Sequence, residues 1–202
     1  QPGEYDAAGF TVGVVEKHRV LTGAGTEPGD VVIGLASSGL HSNGYSLTRR
    51  LVFDEAGLGV DDSLERFGID RTVGEELLEP TRIYVRSVRT VLHHYKVKRV
   101  VRGIAHITGG GLVENVPRVL PEGCAVELDP SAWRRPPIFD ALQRIGSVPL
   151  DEMYLTYNMG IGLVLIVSRF FAARVLEQLQ RAGERATVIG RVVEGDRTVH
   201  IL

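Results

Sequence analysis

The 202-residue sequence predicts an α+β fold, a mixed α/β sandwich in which helices cover a mixed sheet. Three observations lead there. Short apolar runs at 31–36 and 161–167 read as buried strands, and amphipathic stretches at 80–95 and 171–182 read as helices. The two kinds alternate without the regular beat of a repeating parallel fold. Two β-branched runs, at 187–193 and 198–202, flank Glu194-Gly-Asp-Arg197 and predict a terminal hairpin.

Taken in order, residues 1–8 are a turn-rich lead-in and 9–16 an expected strand, rich in β-branched and aromatic residues. Glycines and Pro28 mark a loop at 23–29, ahead of the apolar strand 31–36. A Gly/Ser loop at 37–44 then leads into a helix carrying Leu47 and Leu51 four residues apart. Residues 57–78 are polar and irregular and are expected to form a mobile excursion, long enough to conceal a helix. Pro80 is expected to start the clearest helix, with Tyr84, Val88, Val91, Leu92 and Tyr95 on one face and Arg82, Arg86 and Arg89 solvated.

A strand from 104 breaks at Gly109, Gly110 and Gly111, and a helical pattern resumes over 112–120. Cys124 opens a strand-like run and is expected to be a small buried core residue. Pro136 and Pro137 open a helix whose stripe is Ile138, Leu142 and Ile145, with Gly146 expected to close it in a left-handed conformation. Residues 153–160 read as a loop or irregular strand, and Gly183 follows the last helix.

Composition narrows the function. Hydrophobic residues at 44% and charged residues at 24% are those of an ordinary globular chain. With 23 basic and 25 acidic side chains the formal net charge is −2, which argues against a nucleic-acid backbone binder. No apolar run is long enough for a membrane span. One cysteine excludes an internal disulfide framework and fits a reducing compartment. Among the motifs, no Walker-type loop, nucleophile elbow or Cys/His metal spacing occurs.

The chemistry concentrates in the two loops 37–44 and 108–111. Each follows an apolar strand and precedes a helix, and in mixed α/β folds such loops share one sheet edge, where both can face one ligand. Successive glycines followed by a helix start expose N–H donors that suit a phosphate, although they also make a tight corner. His41 lies in the first loop and His106 just before the second. Histidine titrates near neutrality and moves protons in either direction. The hydroxyls of Ser37, Ser38, Ser42 and Thr108 and the amides of Asn43 and Asn115 suit phosphate or sugar oxygens. Ser42, Asn43 and Thr108 also stand where helix caps would. His18, His93, His94 and His200 lack such a setting.

At this point a resemblance enters. The runs Gly-Leu-Ala-Ser-Ser-Gly-Leu-His-Ser-Asn-Gly-Tyr-Ser-Leu (34–47), Leu-Glu-Pro-Thr-Arg-Ile-Tyr-Val (78–85), Ala-His-Ile-Thr-Gly-Gly-Gly-Leu-Val-Glu-Asn-Val-Pro-Arg-Val-Leu (105–120) and Glu-Met-Tyr-Leu-Thr-Tyr-Asn-Met-Gly-Ile-Gly (152–162) resemble the phosphoribosylformylglycinamidine cyclo-ligase family. These aminoimidazole ribonucleotide synthetases close the imidazole ring of purines with ATP. Formylglycinamidine synthetase, selenophosphate synthetase, a hydrogenase-maturation protein and thiamine-phosphate kinase are related families.

The resemblance implies that residues 1–20 hold the last strand of a mostly missing N-terminal ATP-binding domain, and that 21–202 form the C-terminal domain. It implies that Ser38, Ser42, Asn43, Thr108, Gly109, Gly110, Gly111 and Asn115 hold the ribose phosphate, with His41 and His106 as catalytic proton carriers. It further implies ATP and Mg2+ bound mainly through the missing domain, a homodimer in the full-length protein, a small ribonucleotide substrate and a cytoplasmic location. A non-catalytic nucleotide-binding module, or another ATP-using member of the superfamily, stands as the alternative.

Overall fold

The computed structural model describes residues 9–95 and 97–202. The mixed sheet is formed by six strands: β1 (Val31–Ala36), β2 (Val101–His106), β3 (Cys124–Leu128), β4 (Ile161–Val167), β5 (Ala186–Glu194) and β6 (Val199–Ile201). Their spatial order is β2-β4-β1-β5-β3-β6. All pairings are antiparallel except β3 with β6. All seven residues of β4 are buried, as its unbroken apolar run demands of a strand covered on both faces.

Helices occupy both faces because both faces of the central strands are apolar. One face packs α3 (Val85–His94) and α7 (Ala172–Arg181), through Val91, Val175 and Leu179, onto Ile33, Leu35 and Leu165. The other packs α1 (Tyr45–Arg49) and its π-helical continuation Arg50–Glu55, α2 (Val73–Leu77), α4 (Gly111–Asn115), α5 (Pro137–Gly146) and α6 (Leu150–Thr156). Val32, Val164 and Ile166 lie at the base of that larger core, under Leu51, Leu112, Phe139, Leu142 and Tyr157. The helices α3, α5 and α7 are amphipathic at the spacing that the sequence shows.

Several expectations are corrected. Residues 9–16 form no strand: they have no ladder partner among the described residues, and Phe10, Val12 and Val14 are almost fully exposed. Lead-in residues 1–8 lie outside the described residues. The excursion at 57–78 is anchored by buried Leu64, Ile69, Val73 and Leu77 and contains α2, which starts with a reciprocal capping box between Thr72 and Glu75. Helix α3 begins at Val85, not Pro80, because the 80–84 segment is held against the first loop instead. Arg82 is not a solvated cation; it pairs with the buried carboxylate of Glu184 at 3.0 Å.

Two further corrections concern turns. Helix α5 is closed by Ser147, not Gly146, in the left-handed conformation with φ 47°. The stretch 153–160 begins as helix, with Leu150, Met153, Tyr154 and Tyr157 at helical spacing behind Asp151 and Glu152. The predicted terminal hairpin does not exist either. From the end of β5 the chain crosses over β3 and lays β6 parallel on its far side, Val126 opposite Val199. Gly195 permits the crossing, since a Cβ there would stand 2.5 Å from that of Ala125. Gly195→Val is therefore expected to loosen the β6 edge and lower thermal stability, read as a fall in melting temperature with early hydrogen exchange at Val126.

Candidate functional site

The antiparallel register brings four strand ends to one edge of the sheet. Ala36 stands opposite Ile161, Leu35 opposite Ala186 and His106 opposite Leu163. The loop after β1, the loop after β2 and the entries to β4 and β5 therefore share that edge. The loops approach one another: Asn43 Oδ1 lies 4.0 Å from where a Gly109 Cβ would be.

The first loop is built around two buried side chains. Asn158, fully buried just before β4, donates to the carbonyls of Gly39 and Leu40 and accepts from Ser37 Oγ and the Gly160 N–H. His41, only 3% exposed, turns its Nε2 toward the backbone N–H groups of Ser38 at 3.1 Å and Arg82 at 3.4 Å. That nitrogen accepts both, so the proton of the neutral ring belongs on Nδ1, which is buried without a partner among the described residues.

Burial pushes the His41 pKa down to about 4, with His106 and Arg82 adding repulsion. An ordinary His is protonated in the unfolded chain below about 6.5, so the unfolded state binds the extra proton between about pH 4 and 6.5. The contribution of His41 is present above this window and is lost as pH falls through it, by roughly 3 kcal/mol in all. Urea unfolding at pH 4.5 and 7 checks this, with the difference expected to shrink in His41→Gln.

Gly162 leaves room for two rings to approach the sheet: a Cβ there would come within 2.1 Å of Tyr84 Oη and 2.5 Å of His41 Cε1. Tyr84 donates to the Ala36 carbonyl at 2.8 Å and stands between the histidines, 6.3 Å from the His41 ring and 6.4 Å from that of His106. His106 is exposed at the end of β2.

The glycine loop is pinned from below by Asn115. Its Nδ2 reaches the carbonyls of Thr108, Gly109 and Gly111, while its Oδ1 accepts from Thr108 Oγ1. Neither α1 nor α4 has a side-chain cap, since Gly44 and Gly110 occupy those positions in left-handed conformations. Ser42, Asn43 and Thr108 are therefore not caps.

The predicted residues thus sort by what they have left to offer. Asn115 is fully engaged in the loop, Ser38 Oγ donates to the Pro80 carbonyl at 2.7 Å, and Ser42 Oγ faces Thr81 Oγ1 at 3.3 Å. The Asn43 amide and the N–H groups of Gly109 and Gly110 have no hydrogen-bond partner among the described residues. Together with exposed His106 they form an open row of donors along the edge. His18, His93, His94 and His200 are all exposed and away from it, and Cys124 is buried as expected.

Residues 27–202 match the sequence profile of the AIR synthase related protein, C-terminal domain. The chain belongs to that family. Among curated relatives, the chain is 46% identical over 199 residues to the phosphoribosylformylglycinamidine cyclo-ligase of Alkaliphilus metalliredigens, covering 98% of the chain and 56% of that relative. It is 52% identical over 194 residues to that of Geobacter metallireducens, covering 96% and 54%. The domain spans about half the length of the curated relatives it matches. Among solved structures it superposes on E. coli HypE, a hydrogenase maturation protein, with a TM-score of 0.54 at 21% identity, covering 89% of this chain and 48% of that one. That likeness shows the shared fold.

In the sequence Tyr84 reads only as part of an apolar helix face, and Asn158-Met-Gly-Ile-Gly162 reads either as a close backbone approach or as a strand entry with small residues. The signal was present in the Gly-Ile-Gly that opens β4, which places a residue without a side chain where two rings must cross the sheet. No helix among the described residues is long and apolar enough to cross a membrane.

Proposed function

We propose that this domain holds the substrate in an ATP-dependent cyclo-ligase that closes formylglycinamidine ribonucleotide to aminoimidazole ribonucleotide in de novo purine biosynthesis. The observation that carries this reading is the meeting of the two loops at one edge, with unspent donors at Asn43, Gly109 and Gly110 beside exposed His106. The names of relatives near 50% identity point the same way.

In this reading Ser42, Asn43 and the loop from Thr108 to Gly111 seat the ribose phosphate, with Ser38 and Asn115 shaping the two loops. His106 carries the proton that the ring-forming amine gives up, because it is exposed at the edge. His41, whose accepting nitrogen is already engaged, acts as the positioning residue of the first loop. ATP supplies the activation, turning the amide oxygen of the substrate into a phosphate leaving group. The described residues include no group of three or more His, Cys, Asp or Glu placed to hold a metal ion.

ATP and Mg2+ belong in this reading to an N-terminal domain, within a cytoplasmic homodimer. Residues 9–16 complete a sheet of that domain: Phe10, Val12 and Val14 recur with the period of a strand and are 91%, 85% and 101% exposed here.

The test is an amide-resolved NMR titration with aminoimidazole ribonucleotide, with the N-terminal domain of a relative added. Shifts concentrated at 39–44 and 108–111 are expected. Their absence at millimolar ligand overturns the seat. In the assembled enzyme, His106→Asn is expected to lower kcat by about 10²- to 10⁴-fold with little change in KM. An unchanged kcat removes His106 from the chemistry.

A further inference from the structure

Beside the first loop, on the side away from the glycine loop, the same sheet edge opens into a cavity of about 630 Å³. Four guanidinium groups line it, from Arg71, Arg82, Arg134 and Arg185, against two carboxylates, Glu76 and Glu79. The wall thus carries a formal charge of +2 in a chain whose net charge is −2. Both carboxylates are already engaged by Arg71, whose Nη1 lies 2.7 Å from Glu79 and 3.7 Å from Glu76. Glu184, which is buried and does not line the cavity, holds Arg82 through its Nε. Arg134 and Arg185 are exposed and form no ion pair or side-chain hydrogen bond among the described residues.

Like charges gathered around a concavity repel one another, and an anion of matching shape relieves that repulsion. The hydroxyls on the wall do not compete for the role, since Ser37 donates to Asn158, Ser38 to the Pro80 carbonyl and Thr187 to the Ala132 carbonyl. Recognition therefore falls to the guanidiniums, whose planar forks match phosphate oxygens and can bind them two at a time. The volume far exceeds that of a bare ion and lies in the range of small-molecule sites.

We propose that this cavity is a binding site for a small phosphomonoester, with Arg134 and Arg185 as the residues that grip its phosphate. The site is separate from the glycine loop and does not depend on the ribonucleotide reading.

Calorimetric titration of the 202-residue chain at low ionic strength, with ribose 5-phosphate and with inorganic phosphate as probes, tests this. Both are expected to bind, the sugar phosphate more tightly. The double variant Arg134→Ala/Arg185→Ala is expected to lose about tenfold or more in affinity for both probes, while the lysine double variant, which keeps the charge without the fork, falls between it and the parent. Because both side chains are exposed, these variants are expected to melt as the parent does; should the alanine pair fail to fold, Arg185→Gln alone reads the same loss. The same titrations followed by amide NMR are expected to shift Arg134 and Arg185, which tells binding in the cavity from binding at the Thr108 to Gly111 loop. Absence of binding by the parent, equal binding by the alanine variant, or shifts confined to Thr108 to Gly111 overturns the proposal.

Discussion

Gly111→Ala is expected to destabilise the chain by about 3 kcal/mol or more, whereas Gly109→Ala two residues away is expected to cost less than about 1 kcal/mol. The two glycines look alike in the sequence and differ in what surrounds them. Gly111 has φ +56°, and a Cβ there would stand 1.9 Å from the Tyr154 carbonyl oxygen and 2.8 Å from that of Tyr157. Both obstacles are backbone, at the end of α6, and cannot rotate away. The loop would have to leave α6 or α6 would have to leave the core, where Tyr157 is fully buried. Gly109 is exposed and meets only Asn43 Oδ1, at 4.0 Å. Urea denaturation of the two variants decides the matter, and equal stabilities would mean that α6 does not hold the loop.

Asn158→Ala is expected to cost about 4 kcal/mol or more and to abolish ligand-induced shifts in the first loop. The substitution leaves two buried carbonyls, a hydroxyl and an N–H without their partner, and an unsatisfied buried group costs roughly 1–3 kcal/mol. For a domain of this size that is a fall in melting temperature of roughly 10 °C. Asn158→Asp sharpens the test. It keeps the acceptor for Ser37 and Gly160 but sets a carboxylate oxygen against the carbonyls of Gly39 and Leu40, so it is expected to do no better than alanine. Near-parental stability of the aspartate variant would show that the donor half of Asn158 is dispensable.

All six strands were legible as runs, β1 and β4 most plainly, because a continuous apolar run suits a strand covered on both faces. The stripes of α3, α5 and α7 were legible for the same reason, being long enough to show their period. Helix α6, seven residues long, was not. Its stripe from Leu150 to Tyr157 was present, but Asn158, Met159 and Gly160 after it have the look of a loop and drew the boundary too early.

Pairing partners are a non-local property, and nothing in the 194–198 segment reveals that β3 will lie between the strands it joins. The candidate site divides in the same way. That the loops hold donors was readable from composition. Which donors remain free was not, since Asn43 and Asn115 are the same residue, one in the first loop and one in the helix behind the second. One is unspent and the other bonded to three carbonyls only because of how the chain folds around them.

The strand order also sets a timetable for synthesis. β1 emerges first from the ribosome, yet both of its neighbours in the sheet, β4 and β5, come from the last quarter of the chain. Translation must add 125 residues between Ala36 and Ile161 before the first ladder partner exists. At ~5–20 residues per second that is a wait of roughly 6–25 s. Throughout it, Val31 to Ala36 is an apolar, β-branched segment with two bare edges, the kind of sequence that holdase chaperones shield and that other nascent chains can capture.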